Sequence, residues 1–331
     1  MVPGVVDESG HLTILRDVTN SSTNRFLLKE SSKLAGSAPS TSASEDQVHK
    51  SASQGYAKDV SAASLTGNNV RMSNKFSTVD DIYINLLKSQ REPPSKLGLS
   101  SPDISMSMRR ILVDWMIEVA EEYKLVPETL FLSVAYTDMC LQQLPISRSK
   151  LQLLGITCVF IAAKYEEIYA PQIEELCFIT DNSYDRSQII EMERIILKCL
   201  DFSVTLTTTK TFLTIYLSKI KADQLCSHLA SFLSEVTLMR SVFLQFPPAV
   251  IAAAATVLAE FYLCREKPQI IPFLVDLDTP KLRQCIDILH ADMMAYEPDQ
   301  FQAIHEKYSE HKYAQVTSIV PRVDPLNVLF G

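Results

Sequence analysis

The sequence predicts an all-α protein: two similar helical bundles in tandem behind a disordered N-terminal tail. Three observations lead there. Hydrophobic residues make up 47% of the 331-residue chain while glycine occurs 8 times, a composition with ample core material and few turns. From Ser107 onward, apolar residues recur at helical spacing with almost no strand-like alternation. One pattern also occurs twice. The apolar stretch Lys150–Tyr165, a loop with Pro171 and the amphipathic stretch Arg186–Leu200 are paralleled by Pro247–Tyr262, a proline-containing loop and Pro280–Met293. The length itself suits about two domains of ~100–200 residues each.

Residues 1–75 are rich in Ser, Ala, Thr and Asn, with few aromatics. Such a stretch buries too little apolar surface to offset its chain entropy, so a disordered, Ser-rich regulatory tail is expected. Val79–Lys88 then places Ile82 with Leu86 and Tyr83 with Leu87, the spacing of an amphipathic helix, and Pro93-Pro94 ends it. Pro127 and Pro247-Pro248 stand at helix starts, where a missing N–H does no harm. Thr180-Asp181-Asn182-Ser183 supplies turn or capping residues before the helix at Arg186. The polar, β-branched run Thr205–Thr209 marks a boundary. The expected organisation is a tail over 1–75, a first bundle with its preceding helix over 76–205, a second bundle over 206–320 and a short tail over 321–331.

Several function classes are disfavoured. A formal net charge of −8 argues against nucleic-acid binding driven by phosphate contacts. Met1–Leu15 lacks the basic start and apolar run of a signal peptide. Ile251–Leu258 is soon interrupted by Glu260, short of the ~20 apolar residues of a membrane span. The seven cysteines are scattered singly with no Cys-x-x-Cys, which reads as reduced core thiols in an intracellular protein and no metal site. Neither a Gly-rich phosphate loop nor a Ser/His/Asp set stands out, so no catalytic group and no cofactor are expected.

Four charges sit where a helical wheel calls for apolar residues: Arg109, Asp138, Lys164 and Glu193. Glu193 falls between Ile189, Ile190, Ile196 and Leu197, whereas Glu191, Arg194 and Lys198 hold the polar side. An unpaired buried charge costs several kcal/mol, so each needs a partner within the fold or on another protein. Arg109 and Asp138 have opposite signs on two apolar faces, which suggests an internal ion pair. Lys164 ends its apolar helix, where a cation is favoured. For Lys164 and Glu193 an internal bridge and a contact with another chain both fit. In Ser107–Tyr123 two apolar stripes together span well over half the circumference. That describes either a central helix packed on most sides or one with a second surface, containing Trp115, that stays open as an apolar groove.

Met108–Lys124 (MRRILVDWMIEVAEEYK), Lys150–Gly155 (KLQLLG), Ala162–Ile168 (AAKYEEI) and Phe178–Tyr184 (FITDNSY) resemble the cyclin box of A-type cyclins, and Glu306–Tyr313 (EKYSEHKY) resembles the family's C-terminal helix. The resemblance implies two five-helix cyclin-box bundles. It also implies a protein that is no enzyme but the activating subunit of a cyclin-dependent Ser/Thr kinase, forming a heterodimer with it in nucleus and cytoplasm and controlling cell-cycle progression. It places Lys164, Glu193, Tyr165, Ile168 and Leu200 at the kinase interface. Met108, Ile111, Leu112, Trp115, Glu118 and Gln152 would form a patch that docks Arg-x-Leu substrates and inhibitors, and Arg109–Asp138 would be structural. Arg25–Leu28 (RFLL) has the Arg-x-x-Leu form of a destruction box read by ubiquitin-ligase machinery, or is an arbitrary tetrapeptide. Arg110 departs from the small residue usual in the family, and Met139-Cys140 replaces the usual Arg-Phe. Two alternatives fit the residues less well. A cyclin-fold transcription factor should be basic, and a helical scaffold needs no charges on core faces.

Overall fold

The computed structural model describes residues 78–93, 98–263 and 268–319. The expected tails 1–75 and 321–331, together with Arg25, Leu28 and Cys264, lie outside them. The described residues form eleven α-helices and no strand. They are α1 (Thr78–Ser89), α2 (Met106–Glu122), α3 (Pro127–Gln143), α4 (Leu151–Glu166), α5 (Ile173–Ile179), α6 (Arg186–Cys199), α7 (Thr209–Lys219), α8 (Gln224–Met239), α9 (Pro248–Tyr262), α10 (Thr279–Met294) and α11 (Gln302–Tyr308).

Helix starts follow local chemistry. Ser105 accepts a hydrogen bond from the Met108 amide at the start of α2, and Asp223 does the same from Cys226 at α8. Pro127 and Pro248 occupy first-turn positions of α3 and α9. The turn expected at Thr180–Ser183 is present, with Asp181 and Asn182 at φ 54° and 53°. The cap of α6, however, is Asp185, paired with Gln188 in a capping box.

Helix α4 is the axis of the first bundle, buried from Leu151 to Ala163 except at Phe160 and packed by α2, α3 and α6. Gly155 favours this: a Cβ there would lie 2.7 Å from Leu112 Cδ1, so its absence lets α2 and α4 cross closely. Helix α9 plays the same part in the second bundle, buried continuously from Ala249 to Glu260 against α7, α8 and α10. The short α5 of the first bundle is answered in the second by a 3₁₀ turn, Ile271–Phe273.

Both ends of the described chain cross to the other bundle. Helix α1, which precedes the first bundle, lies against α7. The Tyr83 ring contacts Phe212 and Tyr216, and Lys219 pairs with Asp80 at 2.6 Å. Its buried Tyr83 decides this, because the exposed Ile82 faces away. Helix α11 packs on α2 and α8. Lys307, 6% exposed, lies 2.9 Å from a carboxylate oxygen of Glu235 on α8 and of Glu121 on α2, and the Tyr308 hydroxyl donates to Glu235 at 2.8 Å.

Candidate functional site

The four misplaced charges resolve into two pairs with opposite surroundings. Arg109 on α2 is 1% exposed; its Nε and Nη2 donate to the two Asp138 oxygens on α3 at 2.5 and 2.7 Å. The remaining Nη1 donates to the Leu238 carbonyl on α8 at 2.9 Å, so this guanidinium joins the bundles as well as the first two helices. Leu238 ends a segment nearly 130 residues away, and nothing in the sequence marks it as the third acceptor.

Lys164 and Glu193 also pair with each other, from α4 to α6, but at the surface: their side chains are 40% and 17% exposed. The Lys164 ammonium stands 4.1 Å from the centroid of the Phe160 ring. The pair thus stands at the rim of the apolar arc, in which Ile189 and Ile196 are wholly buried. An ammonium with three donors and a carboxylate with four acceptor sites keep bonding capacity for another chain. The corresponding position of the second bundle has diverged. Glu260 near the end of α9 is wholly buried and accepts from the Gln269 and Ile270 amides at 3.0 and 3.1 Å, an internal loop clamp.

Around the surface pair stands an apolar group. Tyr165 is half-exposed, and Ile168 and Tyr169 are each 90% exposed. Glu167 fixes the base of their loop by accepting from the Val126 amide at 2.8 Å and the Thr129 hydroxyl at 2.6 Å. The Tyr165 hydroxyl meets Thr205 Oγ1 at 2.9 Å, anchoring the face to the inter-bundle connection. Burial, with the Glu128 and Glu167 carboxylates nearby, holds the Glu166 carboxyl above its ordinary range. One expectation is corrected. Leu200 is 3% exposed and packs in the core, since it ends the helix on the inward side. Tyr169 and Phe202, both well exposed, were not anticipated; the signal was an aromatic residue in a loop, which periodicity does not weigh.

The residues of the second expected surface divide between core and edge. Trp115, Leu112, Met108 and Gln152 are only 2%, 1%, 5% and 4% exposed, so α2 is a central helix and these side chains lie deep. Ile111 and Glu118 remain half-buried at the edge. Gln152 shares a face of α4 with Gly155, which touches Leu112, and its amide nitrogen is buried without a partner. The polar side of α2 is covered by the C-terminal segment. Arg110 donates to the Gln300 carbonyl at 3.2 Å, and the Ala303 amide donates to Asp114 at 3.2 Å. Arg110 thus serves as a tether where the family resemblance expected a small residue.

Among the described residues no group of three or more His, Cys, Asp or Glu is placed to hold a metal ion, and no helix is long and apolar enough to cross a membrane. Residues 81–205 match the family model for the cyclin N-terminal domain and residues 207–322 that for the cyclin C-terminal domain. The chain belongs to the cyclin family. Relatives are A-type cyclins. Cyclin-A1-1 of Oryza sativa subsp. japonica is 41% identical over 70% of this chain and 48% of its own length. The G2/mitotic-specific cyclin-A of Patella vulgata is 41% identical over 73% of this chain and 58% of its own. Cyclin-A1-4 of Oryza sativa subsp. japonica is 41% identical over 70% of this chain and 68% of its own. This cyclin thus spans about half the length of the first two relatives. Its fold is similar to a chain in the crystal structure of the yeast RNA Pol II CTD kinase CTDK-1 complex, with a TM-score of 0.50 and 13% identity over 67% of this chain and 80% of that one.

Proposed function

We propose that this cyclin is the activating subunit of a cyclin-dependent Ser/Thr kinase, acting in nucleus and cytoplasm to drive the cell cycle. The observation that carries the reading is the exposed Lys164–Glu193 pair beside Tyr165, Ile168 and Tyr169. Charged groups with spare bonding capacity, ringed by exposed apolar side chains, suit a helix and loop of a partner whose backbone offers both donors and acceptors. An obligate interface of this kind buries more than ~2,000 Å². In such a complex the cyclin contributes no reacting group. It holds the kinase's regulatory helix inward, so that the helix's Glu pairs with the catalytic Lys, and it orders the activation loop. Adding the purified cyclin to an inactive cyclin-dependent kinase should switch on phosphorylation of a Ser/Thr substrate. No gain with any such kinase would contradict the reading.

The finer proposal is that α2 docks Arg-x-Leu segments of substrates and inhibitors. Support comes from half-buried Ile111 for the leucine, the Glu118 carboxylate for the arginine, and the unpartnered Gln152 amide for a peptide carbonyl. Met108, Leu112 and Trp115 form the floor. Ile111→Glu should weaken phosphorylation of Arg-x-Leu substrates and spare others; equal loss on both would refute docking. The tail segment Arg25–Leu28 is proposed as a destruction box for ubiquitin-ligase machinery.

A further inference from the structure

Arg25-Phe26-Leu27-Leu28 contains two overlapping patterns. Read to Leu28 it is Arg-x-x-Leu; read to Leu27 it is Arg-x-Leu, the pattern proposed for the α2 patch. Arg-x-Leu occurs at one other place, Arg110–Leu112, and that copy is folded into α2 itself. We propose that Arg25–Leu27 docks on the α2 patch of its own chain and competes there with substrates and inhibitors. The proposal rests on the docking function argued above and adds an occupant to it.

The chemistry of the fit is specific. Leu27 would pack on Ile111, the Arg25 guanidinium would approach Glu118, and a carbonyl of the segment would accept the Gln152 amide proton. That amide supplies the observation independent of the sequence pattern. It is a polar atom on a residue 4% exposed, it has no acceptor within the described chain, and it lies beside the helix that carries Ile111. A buried donor left unmet is costly, so whatever brings it an acceptor gains an advantage.

Reach permits the contact. Leu28 lies 50 positions before Thr78 (78 − 28), where α1 begins. At ~3.3 Å per residue such a connection spans up to ~165 Å, several times the ~18 Å radius of gyration of a folded body of about 240 residues. Binding within one molecule avoids the entropy of bringing two molecules together, so even a weak match fills the patch for part of the time. While Arg25 is docked it is also withheld from any reader of Arg-x-x-Leu.

Fluorescence polarisation of a labelled ten-residue Arg-x-Leu peptide on the full chain tests the proposal. If the tail fills the patch two-thirds of the time, Arg25→Ala and Leu27→Ala should each bind the peptide about threefold more tightly than the unsubstituted chain. Lys29→Ala, a neighbour outside the pattern, should bind as the unsubstituted chain does, and Ile111→Glu should bind none. Equal affinity for the unsubstituted, Arg25→Ala and Leu27→Ala chains would overturn self-docking and leave the docking function standing. Failure of the peptide to bind any form would remove the docking function and self-docking with it.

Discussion

Arg109 of the first bundle donates a hydrogen bond to the Leu238 carbonyl of the second at 2.9 Å, with Asp138 holding the rest of its guanidinium. One buried cation therefore sets both the packing of α2 on α3 and the mutual placement of the two repeats. Arg109→Met leaves Asp138, 8% exposed, as an uncompensated charge. It should lower the unfolding free energy by about 3–5 kcal/mol in urea titrations, whereas Arg109→Met with Asp138→Leu should cost far less. Equal losses in the single and double variants would show that the pair's charge is not what matters.

The cluster around Lys307 behaves likewise at the C-terminal end. Burial works against its charge, but Glu235 and Glu121 overcome it and hold Lys307 above its ordinary range. Tyr308 and Tyr313 are its other titratable neighbours. A lysine whose folded pKa is raised contributes stability that is fully present below the unfolded value of ~10.4 and lost as pH climbs through the folded value. The stability gap between the unsubstituted chain and Lys307→Met should stay constant from neutrality to about pH 10 and shrink only above. A gap that closes between pH 6 and 9 would exclude Lys307 as its source.

Gly155→Ala tests the close crossing of α2 and α4. The added methyl meets the Leu112 side chain, 1% exposed, at 2.7 Å. Overpacking of this kind costs about 1–3 kcal/mol, readable as a lower denaturant midpoint. An unchanged midpoint would mean that α2 shifts freely, which its contacts with α11 argue against.

Ile168→Glu separates folding from binding. At 90% exposure the side chain has little to lose within its own chain, so stability should stay within about 0.5 kcal/mol. Kinase binding measured by calorimetry should weaken at least tenfold, because a carboxylate would be buried against an apolar surface. Undiminished affinity would place the interface elsewhere.

How far the sequence foretold this molecule depends on how local each signal was. Helix periods, proline starts and the repeated pattern around Lys150 and Pro247 are read within a few turns, and the eleven helices follow them. The Arg109–Asp138 pair was legible because two unlike charges broke two apolar stripes. Its third acceptor at Leu238 was not, since a backbone carbonyl carries no sequence signature. The Lys307 cluster draws on residues 121, 235 and 307, each unremarkable on its own helix. The depth of Trp115 was illegible for the opposite reason: a wheel shows how wide an apolar arc is, not which neighbours cover it. Leu200 likewise lay at a helix end, where a wheel says least about direction.

The central claim is that Lys164 and Glu193 face outward together to grip a kinase. The most direct test is co-purification of the cyclin-dependent kinase with Lys164→Ala/Glu193→Ala, alongside its thermal unfolding. A surface pair is worth only about 0–1 kcal/mol, so the melting temperature should barely move while bound kinase and its activation are lost. A folded double variant that still captures and activates the kinase in full would contradict the account.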